Sequence, residues 1–302
     1  MFSINQNDLR GIAETHGLEP SDNFALLGIG QVSAVHTLNN QVVIRVALDD
    51  TLPTEIYEQE AKIIGLARAL SIRTPAVLGS GTVLGRPYVL LERVWGQNLG
   101  SLTLEPRDVP EVYRALGRDL ARWHLRPAAD SDLLSDLPRD SHADPRPGLA
   151  HLIERGFLPL EGTRWLERWL DRLAPHAASP QCLRVVHGDA RPSNVLVSGD
   201  LAYQALLDWG DAQWADPASE FALMPLRAVP FALEGYRELR PDAGDEVNEA
   251  RILWYHLSWA MYALERPTSL ERTWSAPPAG RLLELLHFFV DGPSSEWLKW
   301  VP

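Results

Sequence analysis

The stretch from Val186 to Asp211 constrains this chain more than any other. It reads Val-His-Gly-Asp-Ala-Arg-Pro-Ser-Asn-Val-Leu-Val and then, after a short connection, Leu-Leu-Asp-Trp-Gly-Asp. Short apolar runs at 183–186, 195–197 and 205–207 flank the polar segments, a pattern of strand, loop and strand. Asp189 precedes Asn194 by five positions, and Asp208 ends the last apolar run. A carboxylate, an amide oxygen and a second carboxylate on rigid supports are what phosphoryl transfer from a metal-bound nucleotide requires. Asp189 is the candidate base, which orients an acceptor hydroxyl and receives its proton. Asn194 and Asp208 are candidate ligands, because both offer the hard oxygen that Mg²⁺ demands.

Upstream, residues 5–17 read as a short helix, followed by strands at 24–29, 33–38 and 41–48. Asn39-Asn40 gives a tight-turn signal, since asparagine tolerates positive φ. Alternation along the third strand puts Val43 and Arg45 on one face. Residues 54–70 form a helix whose stripe Ile56, Glu60, Ile63, Ala67 and Leu70 places Glu60 among apolar neighbours. A carboxylate there needs a cationic partner. Further strands are expected at 76–79 and 87–94, after which Trp95-Gly96-Gln97-Asn98-Leu99 ends the extended run. The rest is mainly helical: 109–125, 149–156, 161–174, 217–225, 231–239, 246–265 and 279–290, with a loop rich in Pro, Asp and Ser at 126–148. Trp165 with Trp169, and Tyr255 with Trp259, stand four apart and are read as core.

The chain has 302 residues, enough for a large core and two lobes. Its net charge of −12 argues against a nucleic-acid partner, because phosphate backbones need Lys and Arg. The lone Cys182 excludes an intramolecular disulfide and points to a reducing compartment, the cytoplasm. The first residues lack the basic and apolar regions of a signal peptide, and no apolar run reaches the length of a membrane span. The nine histidines have no spacing that suits zinc.

His187, Gly188, Asp189, Pro192, Asn194, Asp208, Gly210, Asp211, Asp216 and Pro217 together resemble the aminoglycoside phosphotransferase and choline kinase family, small-molecule relatives of the protein kinases. The resemblance implies an α+β, two-lobed, protein-kinase-like fold. Residues 1–94 would form a small nucleotide-binding lobe with an antiparallel sheet and a helix. Residues 95–302 would form a larger, mostly helical catalytic and substrate-binding lobe. It implies ATP or GTP as cofactor, with Mg²⁺ on Asn194 and Asp208. Gly28, Gly30 and Ser33 would belong to a phosphate-covering loop, and Val43 would lie against the adenine. Arg45 would meet the phosphates and pair with Glu60, while the backbone around Glu92 and Val94 would hold the adenine. His187 would hold the loop, and Asp211 and Asp216 would fix it through backbone hydrogen bonds. Arg45 stands where the family usually has Lys, Ala215 where it often has Gly, and Glu220 where it often has Asp.

Asp216-Pro217 follows Gly210 so closely that no long activation segment fits, so the expected acceptor is a small hydroxyl compound rather than a protein. An aminoglycoside or macrolide antibiotic is one class; an amino alcohol, sugar or sugar-amine is the metabolic alternative. A nucleotide-binding protein without catalysis is the non-enzyme alternative. Asp130, Asp132, Asp136, Asp140, Asp144, Glu220 and Glu234 are expected to face the substrate and to favour a cationic acceptor, unless they form only a solvated surface.

Overall fold

The structure, a computed structural model, describes residues 4–19, 24–30, 32–126, 134–141, 144–177, 182–244, 246–265 and 279–302. Asp130 and Asp132 lie outside the described residues. The chain divides into two units, Met1–Gln97 with Gln204–Gly210, and Asn98–Tyr203 with Asp211–Pro302.

In the first unit, helix α1 (Gln6–Thr15) starts at Asn5 in a capping box: the Asn5 side chain accepts the Asp8 N–H, and the Asp8 carboxylate accepts the Asn5 N–H. Strands β1 (Phe24–Ile29), β2 (Ser33–Leu38) and β3 (Val42–Ala47) follow, then helix α2 (Thr54–Ala69), then β4 (Val77–Val83) and β5 (Arg86–Glu92). All neighbours pair antiparallel, in the order β1-β2-β3-β5-β4. Asn39 and Asn40 turn the chain between β2 and β3 with φ of 50° and 58°, the left-handed conformation that asparagine accepts at low cost. Val42, Ile44 and Val46 of β3 enter a core with Leu9, Ile12 and Ala13 of α1 and Tyr88 and Leu90 of β5. Alternation therefore leaves Val43 and Arg45 on the opposite face, where both are half-buried.

A two-residue strand, β6 (Gln97–Asn98), leads into the second unit. There α3 (Pro110–His124), α4 (Arg146–Glu154) and α5 (Leu160–Ala177) precede β7 (Arg184–Val186) and β8 (Val195–Val197). β9 (Tyr203–Leu206) returns the chain to the first unit, and β10 (Gln213–Ala215) pairs antiparallel with β7. Helices α6 (Val229–Leu239), α7 (Glu249–Leu264), α8 (Gly280–Val290) and α9 (Ser295–Leu298) complete the chain. Helices α3 and α6 pack at backbone contact: a Cβ on Gly117 would overlap the Ala232 carbonyl, and one on Gly235 would overlap that of Arg114. This close approach brings His124 at the end of α3 to Tyr236 of α6, with His124 Nδ1 and the Tyr236 hydroxyl 2.8 Å apart.

The expected α+β class holds for the described residues: a sheet with two helices in one unit, mostly helices in the other. Trp169 and Tyr255 are buried, as core, with Trp165 ring-to-ring against Trp169 at 4.9 Å. Two segments differ from expectation. Residues 217–225, read as an ordinary helix, form a tighter 3₁₀ helix at Pro217–Leu223. The Asp216 side chain caps it through the Ala218 N–H at 3.0 Å, while Arg251 and the Tyr255 hydroxyl hold its other oxygen. The described part of the 126–148 loop is not free coil either: Trp214 donates to the Pro138 carbonyl, and Asp140 donates to that of Trp214, both at 2.8 Å. No helix among the described residues is long and apolar enough to cross a membrane.

Candidate active site

In the second unit, β7 and β8 hold the two ends of the loop from His187 to Asn194. Gly188 sits at φ 82°, and a Cβ there would overlap the Asp211 carbonyl, so the position requires glycine twice over. The loop is tied down at each residue that matters. The backbone N–H groups of His187 and Gly188 donate to the two carboxylate oxygens of Glu220, at 2.6 and 3.2 Å. His187 Nδ1 accepts the Asp189 N–H at 3.1 Å, which gives His187 the loop-holding place expected for it. Asn98 Nδ2 donates to the Ser193 carbonyl, and Asn98 Oδ1 accepts the Gly100 N–H at 2.9 Å.

The Asp189 carboxylate is held between two donors. Arg191 Nε donates to one oxygen, and Asn194 Nδ2 donates to the other at 2.7 Å. Asn194 Nδ2 also donates to the Asp189 carbonyl at 2.9 Å. Because both partners are acceptors, the Asn194 amide must present its NH₂ to them. Its Oδ1 takes no hydrogen bond among the described residues and is left as an acceptor for a cation. An Asn and an Asp oxygen fit Mg²⁺, which takes its remaining ligands from water and substrate phosphates rather than from an all-protein cage.

Glu220 is buried, and burial alone would lift its carboxyl. His124, whose Nε2 lies 3.5 Å from a Glu220 oxygen, then the charge of His187 and its backbone N–H, bring it below the ordinary glutamate value instead. Its part in anchoring the loop corrects the expectation that Glu220 faces the substrate. Because its folded-state pKa is depressed, its contribution to stability is present above the ordinary glutamate range and is lost as pH falls through the lowered value. Glu220→Gln offers one acceptor where two N–H groups need two. It is expected to cost about 1–3 kcal/mol at neutral pH, the penalty of an unsatisfied buried donor. Thermal melts of both proteins check this: the gap should be widest near neutrality and narrow in acid, and a gap that persists unchanged in acid would contradict it.

In the first unit, Arg45 Nη1 lies 2.6 Å from Glu60 Oε1 and 3.3 Å from Asp208 Oδ1. Burial alone would lower the Arg45 pKa, but the charges of Glu60 and then Asp208 outweigh it and raise it, so the guanidinium stays charged. Burial also raises the Glu60 carboxyl, against the pull of Arg45. Asp208 adopts φ 63°, and its side chain is 46% exposed, so one carboxylate reaches both the cation and solvent. Its Oδ2 has no partner among the described residues. The structure thus brings Arg45, Glu60 and Asp208 together in one unit, and Asp189 and Asn194 together in the other.

The remaining expected residues fall as follows. Gly28 and Gly30 lie exposed at the end of β1, beyond a bulge at Leu26/Gly28, and the Gly30 N–H donates to the Ser33 carbonyl at 2.8 Å. Ser33 is itself buried at the start of β2, with its hydroxyl beside Tyr57. Glu92 and Arg93 spend their N–H groups on Ala76 and Gln41, both at 2.8 Å, whereas the Val94 N–H takes no partner among the described residues. The Glu92 side chain turns toward Arg68, 3.7 Å away, and lines an open cavity of about 360 Å³ with Arg73, Thr74, Val94 and Gln204. Among the acidic residues expected at the substrate or on a solvated surface, Glu234 pairs with Arg114 at 2.7 Å and Asp144 with Arg146 at 2.5 Å, and both remain exposed. Asp136 is exposed, and Asp140 is half-buried. Sequence reasoning passed over Asn98 and Arg191, whose partners declare themselves only in three dimensions.

A model of the family described as "Phosphotransferase enzyme family" matches residues 28–274. "Uncharacterized protein YcbJ" of Bacillus subtilis (strain 168) is 36% identical over 155 residues, which are 50% of this chain and 49% of that protein, so the match spans about half the length of the curated relative. Among solved structures, the GDP complex of wild-type aminoglycoside 2'-phosphotransferase-IIIa matches with a TM-score of 0.65 at 17% identity, over 96% of this chain and 100% of that one. Spectinomycin phosphotransferase in complex with ADP and spectinomycin matches at 0.63 and 12%, over 99% and 98%. Macrolide 2'-phosphotransferase MphH from Brachybacterium faecium matches at 0.63 and 19%, over 98% and 96%. At such identities the likeness is one of fold, and it gives the chain the protein-kinase-like fold of these enzymes. With the family model matched over most of its length, the chain belongs to the phosphotransferase enzyme family.

Proposed function

We propose that this protein transfers the γ-phosphoryl group of ATP or GTP to a hydroxyl of a small molecule. The observation that carries this reading is the loop around Asp189, whose carboxylate is fixed by Asn194 while the Asn194 oxygen stays available. Asp189 orients the acceptor hydroxyl and takes its proton. Asn194 and Asp208 each supply an oxygen to Mg²⁺, which when bound neutralises charge on the nucleotide phosphates. Arg45, kept charged by Glu60 and Asp208, meets the phosphates, and an arginine does so through a fork of donors rather than a point charge. Gly28 and Gly30 cover the phosphates, Val43 packs on the adenine, and the Glu92 carbonyl and Val94 amide hold its edge. The buried Ser33 supports the covering loop.

The solved neighbours include complexes with GDP, ADP and ATP, which support a nucleotide donor and leave both purines in play. Neighbours also bind kanamycin and streptomycin, and an aminoglycoside-like acceptor is therefore the first class to test. A nucleotide-dependent reaction and a lone cysteine suit the cytoplasm.

The test is a panel of aminoglycosides, macrolides, amino alcohols and sugars, with Mg²⁺ATP or Mg²⁺GTP as donor. One class should yield a monophosphorylated product. For a cationic acceptor, KM should rise with salt as the Debye length shrinks from ~10 Å at 0.1 M. Phosphorylation of neutral acceptors alone would overturn the cationic class and keep the transfer. No product from any acceptor would overturn the transfer itself.

A further inference from the structure

Asp208 adopts the left-handed region, which aspartate tolerates as asparagine does, and tertiary contacts on either side hold it there. Its neighbours on both sides are tied to the turn that follows α2. Two residues before it, the Leu206 N–H donates to the Arg73 carbonyl at 2.9 Å. One residue after it, the indole Nε1–H of Trp209 donates to the Thr74 hydroxyl at 3.0 Å. Thr74 and Trp209 are both buried, at 3% and 0% exposure, so no water substitutes for either partner. The Trp209 backbone N–H also donates to Glu60, the partner of Arg45. The Thr74 carbonyl in turn accepts Arg68 Nη1 at 2.7 Å, which fixes the threonine from its own side.

We propose that Thr74 is a positioning residue for Asp208: by accepting the indole N–H it locks Trp209, and with it the carboxylate that binds Mg²⁺. The inference rests on the assignment of Asp208 as a metal ligand and extends it to a residue far away in sequence. An indole at this position needs an acceptor where a phenyl ring needs none, and Thr74 supplies it. Residues that touch no metal commonly act on one in this way, by orienting a ligand through hydrogen bonds.

Titration of Mg²⁺ against the protein and a fluorescent ATP analogue, with a chelator baseline, tests this. Thr74→Val keeps the shape and removes the hydroxyl. It should raise the Mg²⁺ needed for half-saturation about tenfold, the low end for loss of an outer-shell partner. Nucleotide affinity in chelator should stay at the wild-type value. Thr74→Ser should restore the Mg²⁺ requirement. Trp209→Phe should reproduce the Thr74→Val effect, and the double variant should be no worse than either single one. A Thr74→Val protein with the wild-type Mg²⁺ requirement, whatever its melting temperature, would overturn the inference. So would a Thr74→Ser protein as impaired as Thr74→Val. Asp208→Ala separates this from the assignment beneath it. If Asp208→Ala weakens Mg²⁺-dependent binding as expected and Thr74→Val leaves it intact, only the role of Thr74 falls. If Asp208→Ala also leaves it intact, both fall.

Discussion

Asp189→Ala is expected to bind nucleotide as the wild type does and to lose phosphotransfer by ~10²-fold or more, the low end for a lost general base. The reason lies in how much structure converges on this carboxylate. Its backbone N–H is held by His187, its oxygens by Arg191 and Asn194, and the two residues before it by Glu220. None of these bonds touches Arg45, Glu60 or Asp208, and Asn194 loses its bond to the carboxylate but keeps the one to the backbone carbonyl at position 189 at 2.9 Å, so the groups assigned to the phosphates and the metal stay in place. Truncation removes the group that orients and deprotonates the hydroxyl and leaves the rest in place. Single-turnover rates with nucleotide saturating, beside nucleotide titrations, separate the two effects. Full activity in this variant would remove Asp189 from the chemistry.

Asp208→Ala should weaken Mg²⁺-dependent nucleotide binding by ~10²-fold, at least the upper end of what outer-shell losses cost, because a direct charged ligand is gone. Arg45 keeps Glu60 at 2.6 Å, so the cation stays paired and the fold should tolerate the change. Asn194→Ala should act differently. It removes a neutral oxygen donor, a smaller loss to the metal, but it also removes the two hydrogen bonds that the Asn194 amide gives Asp189. Its effect should therefore appear in the rate of transfer as well as in the Mg²⁺ requirement. Identical Mg²⁺ dependence in the wild type and both variants would contradict the ligand assignment.

Much of the fold was legible because it follows from local periodicity and turn chemistry. The Asn39-Asn40 turn, the alternation of β3 and the apolar stripe of α2 are short-range signals. That Glu60 needs a cation was legible for a physical reason, since a carboxylate on a buried stripe must find one; that the cation is Arg45 was legible only through the family resemblance. What stayed hidden depends on tertiary contact. Glu220 looked like one more acidic residue near a substrate loop, yet it anchors His187 and Gly188 from across the unit. Nothing local distinguishes such a carboxylate from Glu234, which meets Arg114 at the surface. Asn98 and Thr74 are short polar residues in connecting segments, and their partners, Ser193 and Trp209, lie far along the chain. The segment after Asp216 was misjudged because its composition suits an ordinary helix, while the cap on Asp216 and the reach of Glu220 to the loop favour a tighter turn.

The central claim is chemical: a phosphoryl group moves from a nucleotide to a hydroxyl, and Asp189 handles the acceptor. Phosphorus NMR of the protein with nucleotide, Mg²⁺ and the acceptor panel tests it most directly. A new phosphomonoester resonance on an acceptor is expected, dependent on Mg²⁺, present with the wild type and lost with Asp189→Ala. Nucleotide that binds but yields no phosphoester with any hydroxyl acceptor, at any Mg²⁺ concentration, would contradict the account and leave a nucleotide-binding protein without catalysis.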